Sequence, residues 1–188
     1  MAFNEAVEKG LGWVVILAGS DSDRECITAL EKALDKYEIV REVRIASAHK
    51  QPEKVVELVR EYDAIQGHLI YIAVAGGTDA LSGMLSFHSI RPVVSCPPEF
   101  DNADGKGVKG TINTSCLTNP SMSSNAYVAR AANAARFAAQ CFSFYNTKIA
   151  DKLIEEVRSK ITSLEQADIL EKKSLRLSKS KTRCATTA

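Results

Sequence analysis

The stretch Trp13-Val14-Val15-Ile16-Leu17-Ala18-Gly19-Ser20-Asp21-Ser22-Asp23 decides the fold. Its first part, Trp13 to Ala18, is a continuous apolar run, the pattern of a strand covered on both faces. The residues that follow, Gly19 to Asp23, are turn and helix-cap chemistry, so the strand leads directly into a helix, which the pattern carries to about Tyr37. A buried strand that feeds a helix is the first half of a βα unit, and the same unit recurs downstream.

Ile39 to Ala46 alternates well enough for a second strand and ends in Ser47-Ala48-His49-Lys50. Pro52 then sits where a helix's first turn tolerates proline, with Val55, Val56, Val59 and Tyr62 along one face. Leu69 to Val74 predicts a third strand closing at Ala75-Gly76-Gly77-Thr78, followed by a short helix to about Phe87. Pro92 to Ser95 predicts a fourth, ending at Cys96-Pro97-Pro98, and Asn125 to Ala129 a short fifth. Glu99 to Asn113 is polar and Gly-rich and predicts a mobile loop. Ala131 to Tyr145 and Asp151 to about Leu170 predict two long C-terminal helices. Repeated βα units connect right-handedly, so the expected architecture is α/β: a five-stranded parallel sheet between two layers of helices.

The chain has 188 residues, 45% hydrophobic and 25% charged, which is enough apolar matter for a core and excludes a disordered, collagen-like or disulfide-scaffold protein. One domain is expected over 1–173. The last residues, 174–188, contain Arg176, Lys179, Lys181 and Arg183 and no acid, and predict a disordered basic tail. The net charge of +1 implies no nucleic-acid partner. No apolar run approaches the roughly 20 residues that cross a bilayer, and the acidic N-terminus is unlike a signal peptide, so a cytoplasmic protein without membrane contact is expected. Cys26, Cys96, Cys116, Cys141 and Cys184 are scattered without metal-ligand spacing, predicting reduced thiols and no metal site.

In an open doubly wound sheet, ligands bind beyond the carboxyl ends of the strands. The loops that would converge there offer small hydroxyls and glycines for an anion, the Lys50 cation, the Asp23 carboxylate for ribose hydroxyls, and the His49 imidazole as an acid or base near neutrality. That set suits a phosphorylated ribose ligand. A Gly-Ser-x-Ser-Asp run taken alone caps a helix more often than it binds a ligand. His68 and His88 read as surface residues and Cys96 as a small apolar filler. The absence of GxxxxGK[ST] and of GxGxxG after the first strand argues against ATP and dinucleotide, so no cofactor is expected.

Four of these segments, Gly19-Ser20-x-Ser22-Asp23, Ser47-Ala48-His49-Lys50, Ala75-Gly76 and Asn133-Ala134-Ala135-Arg136-Phe137-Ala138-Ala139-Gln140, together resemble the aminoimidazole ribonucleotide carboxylase family of purine biosynthesis, PurE, over about Val14 to Leu164. Lys50 after the histidine, where the mutase branch has arginine, and Cys96-Pro97-Pro98 are similar to the class II branch, which uses free CO2. The resemblance implies a flavodoxin-like sheet and a homo-octamer whose C-terminal helices reach neighbouring subunits. It also implies that Ser20, Asp23, Ser47 and Lys50 hold the ribose phosphate, with Gly19, Ser22 and Ala48 beside them. Gly76, Gly77 and Thr78 would line the base and CO2 pocket, Pro120 and Ser121 would cover it, and His49 would move the proton.

The chain departs from the family at two places. Gly77-Thr78-Asp79 stands where the class II branch usually has Arg-Ser-Asn, and Cys116-Leu117-Thr118-Asn119-Pro120-Ser121-Met122 corresponds to Ser-Leu-Arg-Met-Pro-Ser-Gly. The leading expectation is reversible carboxylation of 5-aminoimidazole ribonucleotide at C4 by CO2. The alternatives are a catalytically weak nucleotide-binding relative, an enzyme acting on another five-membered-ring ribonucleotide, and the N5-carboxyaminoimidazole ribonucleotide mutase.

Overall fold

A computed structural model describes residues 3–76, 78–98 and 119–185. Tertiary contacts divide the chain into two compact units, Met1–Ile149 and Ala150–Ala188. Gly77 and the segment 99–118, which holds the whole of the expected loop Glu99 to Asn113, lie outside the described residues.

The first unit carries helices α1 (Phe3–Glu8), α2 (Arg24–Asp35), α3 (Pro52–Asp63), α4 (Ala80–His88) and α5 (Ala131–Phe142). Its strands are β1 (Trp13–Ala18), β2 (Val40–Ile45), β3 (Leu69–Val74), β4 (Val93–Ser95) and β5 (Ala126–Tyr127). They form one five-stranded sheet in the order β2-β1-β3-β4-β5, parallel at every pairing. This is the flavodoxin-like order, in which the chain reverses its direction of winding between β1 and β3 and opens a crevice there. α1 is an addition that the sequence reading does not contain.

Burial explains the composition of the strands. β1 and β3 are buried along their whole length, as uninterrupted apolar runs must be when helices cover both faces, whereas the edge strand β2 is only half-buried and admits Arg41, Glu42 and Arg44. Trp13, Val15, Leu17, Leu69, Tyr71 and Ala73 form one core with Val55, Leu58, Val59 and Tyr62 of α3 and Leu81 and Leu85 of α4. The alternate residues, Val14, Ile16, Ile70 and Ile72, are equally buried and point to the opposite face, where α2 packs on α5 through its buried Ile27, Leu30 and Leu34 and the alanines Ala134, Ala135, Ala138 and Ala139. Gly12 enters β1 at φ +81°, and a Cβ there would lie 2.7 Å from the Phe142 ring, so only glycine lets α5 approach this closely.

Helix α6 (Thr147–Ala185) begins in the last residues of the first unit and makes up the second, its helical backbone running through 174–185. No glycine or proline interrupts it. Ile154, Val157, Ile161 and Leu164 recur along it and are exposed. Among the described residues no helix is long and apolar enough to cross a membrane.

Candidate active site

The three loops that leave β1, β2 and β3 are held level by backbone bonds that extend the ladders past the strands. Gly19 N donates to Val74 O at 2.9 Å, Ala46 N to Ala18 O at 3.0 Å, and Cys96 N to Ala73 O at 2.9 Å. Parallel pairing in register therefore brings Gly19-Ser20, Ser47-Ala48-His49 and Ala75-Gly76 to the same end of the sheet, around a cleft of about 220 Å³ that Asp23, Thr78, Ala80 and Leu81 also line.

Ser20 serves two roles in this cleft. It caps the short 3-10 turn Asp21–Asp23, accepting from Ser22 N at 3.2 Å, and its hydroxyl also lies 2.7 Å from that of Ser22 while lining the cleft. Asp23 is half-buried at the wall, and burial raises its carboxyl pKa above the usual 3.8. His49 lies on the exposed turn after β2 and faces the cleft from its rim. Ser22 and Lys50 are exposed and line neither this cleft nor the pocket beside it. Ser22 meets the cleft-lining Ser20 through the paired hydroxyls, and Lys50 sits one residue past His49 on a turn closed by Gln51 N donating to Ser47 O at 2.8 Å.

A wider, more apolar pocket of about 470 Å³ shares Ala48, Thr78 and Ala80 with the cleft. Met84, Phe87 and His88 of α4 line it, and Pro120, Ser121 and Ser123 form its opposite side. At its base Asp79 is 6% exposed. Its Oδ1 accepts from Ser82 Oγ at 2.5 Å and from Asn125 Nδ2 at 3.0 Å. Ser86 and Ser123 hydroxyls stand 3.1 Å apart, and Ser123 Oγ donates to Asn125 Oδ1 at 3.2 Å, which completes a polar network between α4 and the segment before β5.

The arrangement joins a polar cleft of hydroxyls, one carboxylate and one imidazole to an apolar pocket. It can hold a phosphorylated sugar at one end and a flat ring at the other, with the His49 imidazole at the rim of the cleft.

The AIR carboxylase family model matches residues 13–163. The chain belongs to the AIR carboxylase family. It is 35% identical to phosphoribosylaminoimidazole carboxylase of Treponema denticola, over 82% of this chain and 94% of that one. It is 32% identical to the protein of the same name from Archaeoglobus fulgidus, over 82% of each. The human bifunctional phosphoribosylaminoimidazole carboxylase/phosphoribosylaminoimidazole succinocarboxamide synthetase is 33% identical, the match covering 82% of this chain and 35% of the human one. The crystal structure of Treponema denticola PurE superposes with a TM-score of 0.75 at 34% identity, covering 84% of this chain and 96% of that one.

Asp79 supplies the wider pocket's buried carboxylate. Met122, between the pocket residues Ser121 and Ser123, takes φ +66°, the left-handed conformation that glycine adopts without strain.

The sequence reading of the cleft omits Met84, Phe87, His88 and Ser123, and it treats His88 as a surface residue; His88 is exposed and also lines the wider pocket. The signal that could have found them is helical spacing: Ala80, Met84 and Phe87 lie on one face of the helix that follows the Gly76 loop. Cys96 is fully buried at the end of β4, consistent with a filler.

Proposed function

We propose that the protein carboxylates 5-aminoimidazole ribonucleotide at C4 with CO2, reversibly, as an AIR carboxylase of purine biosynthesis. The observation that carries this reading is the convergence of Ser20, Asp23, Ser47, Gly76 and the His49 imidazole on one cleft in a chain of this family. Ser20 and Ser47 hydroxyls and backbone NH groups receive the phosphate, Asp23 accepts from ribose hydroxyls, and Lys50 and Ser22 contribute at the mouth. Gly76, Gly77 and Thr78 face the base, and Ala48, Pro120 and Ser121 close over it.

An aminoimidazole is an enamine, so C4 is nucleophilic without metal or biotin. C4 attacks the CO2 carbon, one C–O π pair moves to oxygen, and the ring carries positive charge until the C4 proton leaves. His49 takes that proton and restores the aromatic ring; in the reverse direction it returns the proton to C4 before CO2 departs. The protein adds alignment of the reactants and a pocket whose apolar lining excludes water.

We extend the reading to a homo-octamer in the cytoplasm working without cofactor. The exposed row Ile154, Val157, Ile161 and Leu164 on α6 supports assembly, because such a row is stabilised by burial against another subunit. Light scattering that finds a monomer would remove the octamer. The activity is tested by mixing the protein with aminoimidazole ribonucleotide, bicarbonate and carbonic anhydrase and following carboxylated product. Product formation is expected. The exchange of Arg-Ser-Asn for Gly77-Thr78-Asp79 favours one second reading, a nucleotide-binding relative without turnover, and thermal stabilisation by the nucleotide with no product would select it.

A further inference from the structure

The net charge of the chain conceals a separation along it. Lys172, Lys173, Arg176, Lys179, Lys181 and Arg183 are six cations with no acid after Glu171, and taking them from the net +1 leaves −5 for the rest of the chain. They lie on α6 beyond residue 163, where the match to the family ends, and the backbone is helical across all of them. The helical period places positions 172, 176, 179 and 183 on one strip, about 16 Å long at a rise of about 1.5 Å per residue. Along that strip like charges stand three or four residues apart, a spacing that destabilises a helix. Lys172 Nζ meets Asp168 Oδ2 at 2.6 Å, but from Lys173 onward no position three or four residues from a cation holds an acid. The helix therefore carries a repulsion that anions from outside it would relieve.

We propose that this strip of α6 is a docking surface for a nucleic-acid duplex, held through its phosphates without regard to base sequence. A duplex carries one negative charge per about 1.7 Å of its axis, so a straight strip meets anions along its whole length, and each contact releases condensed counterions. Other occupants fit less well. Leu175 and Leu177 are the two apolar residues between Lys172 and Arg183, and at two positions apart they fall on opposite sides of the helix, which leaves no apolar face for a bilayer surface. No aromatic residue occurs in α6 for unpaired bases to stack on, which favours a duplex over a single strand. A second copy of the chain is the weaker anion, because Asp21, Glu31, Asp35 and Glu61 of its first unit already pair with arginines.

Substitutions in the full-length protein separate charge from helix formation. Arg176→Gln with Lys179→Gln removes two of the four charges of the strip and keeps high helix propensity. Lys179→Glu puts an acid four residues before Arg183, an arrangement that stabilises a helix, while it sets a negative charge within the strip. Lys54→Gln with Arg60→Gln removes two exposed cations of α3 and is the control.

The test is fluorescence anisotropy of a labelled DNA duplex of mixed sequence, titrated with each protein between about 50 and 200 mM KCl. Four phosphate contacts predict that the wild-type association constant falls by about 10²-fold over that range, with a log–log slope of about −4. The double glutamine variant should bind more weakly, with a slope of about −2, Lys179→Glu should also bind more weakly despite its firmer helix, and the control should match wild type. No binding at the lowest salt, binding that survives Lys179→Glu unchanged, or a loss in the control equal to that in the strip variants overturns the inference. So does tighter binding to a single-stranded RNA of the same length, or binding to vesicles of phosphatidylserine and phosphatidylcholine without binding to the duplex. Carboxylation plays no part in these readouts, so the inference stands or falls apart from the proposed activity.

Discussion

Asn125 Nδ2 donates to Asp79 Oδ1 at 3.0 Å across 46 residues of chain, and it ties the segment that precedes β5 to the start of α4. Because the same Asn125 accepts from Ser123 through Oδ1, its amide fixes both walls of the wider pocket at once. Asn125→Ala removes a donor from a buried carboxylate and an acceptor from Ser123. The expected cost is about 1–3 kcal/mol, which lowers the melting temperature by roughly 2–4 °C per kcal/mol for a chain of this size. Urea denaturation showing an unchanged midpoint would make the network incidental to stability.

His49 tests the chemistry. His49→Asn keeps a polar side chain at the cleft rim but cannot carry the proton, so carboxylation should fall by at least about 10²-fold while nucleotide affinity changes little. A near-normal turnover in this variant would assign the proton transfer to another group.

Asp23 predicts a conflict between binding and stability. Burial raises its carboxyl pKa above the usual 3.8, so the fold favours the protonated form. The associated stability is fully present below the unfolded pKa and is lost as pH rises through the higher folded value. At neutral pH the ionised Asp23 therefore works against folding. Asp23→Asn should raise the melting temperature of the unliganded protein by a margin that grows from acid to neutral pH, while weakening nucleotide binding. A margin independent of pH would mean that Asp23 ionisation is not its source.

Tyr62 governs part of the alkaline limit. Burial is the main cause that moves its hydroxyl from 10.0 to about 12, and the Glu42 carboxylate that accepts it at 2.5 Å reinforces the shift. The folded protein holds this proton where the unfolded chain loses it, so the contribution is full below pH 10.0 and disappears as pH rises toward about 12. Tyr62→Phe should flatten the fall of stability over that interval, as read by denaturant midpoints at successive pH values. An unchanged slope would place the alkaline transition elsewhere.

Met122 combines φ +66° with 76% exposure, so it bears left-handed strain and buries little in return. Met122→Gly should stabilise the protein by about 1 kcal/mol, the approximate cost of that conformation for a side-chain-bearing residue. Greater freedom of glycine in the unfolded chain offsets part of the gain. A lower denaturation midpoint would show that this offset, or contacts of the methionine, outweighs the strain.

The sequence alone determined the five strands, the helices that cover the sheet and the end of the sheet at which the small hydroxyls, glycines and His49 gather. β1 and β3 are legible because an apolar run of strand length has one stable environment, burial on both faces, and the hydroxyls, glycines and His49 follow those runs directly in the chain. Helix α6 exceeds the expected Asp151 to Leu170 because apolar periodicity reports the buried face of a helix, while helical backbone continues as long as glycine and proline are absent. The tertiary structure decided what depends on side-chain direction and on partners distant in sequence. Lys50 adjoins His49 in the chain, yet the turn leaves it off the cleft wall. The face of α4 that meets the pocket and the meeting of Asp79 with Asn125 come from packing α4 against β3 and β4, and local periodicity carries no information about which residues that packing brings together.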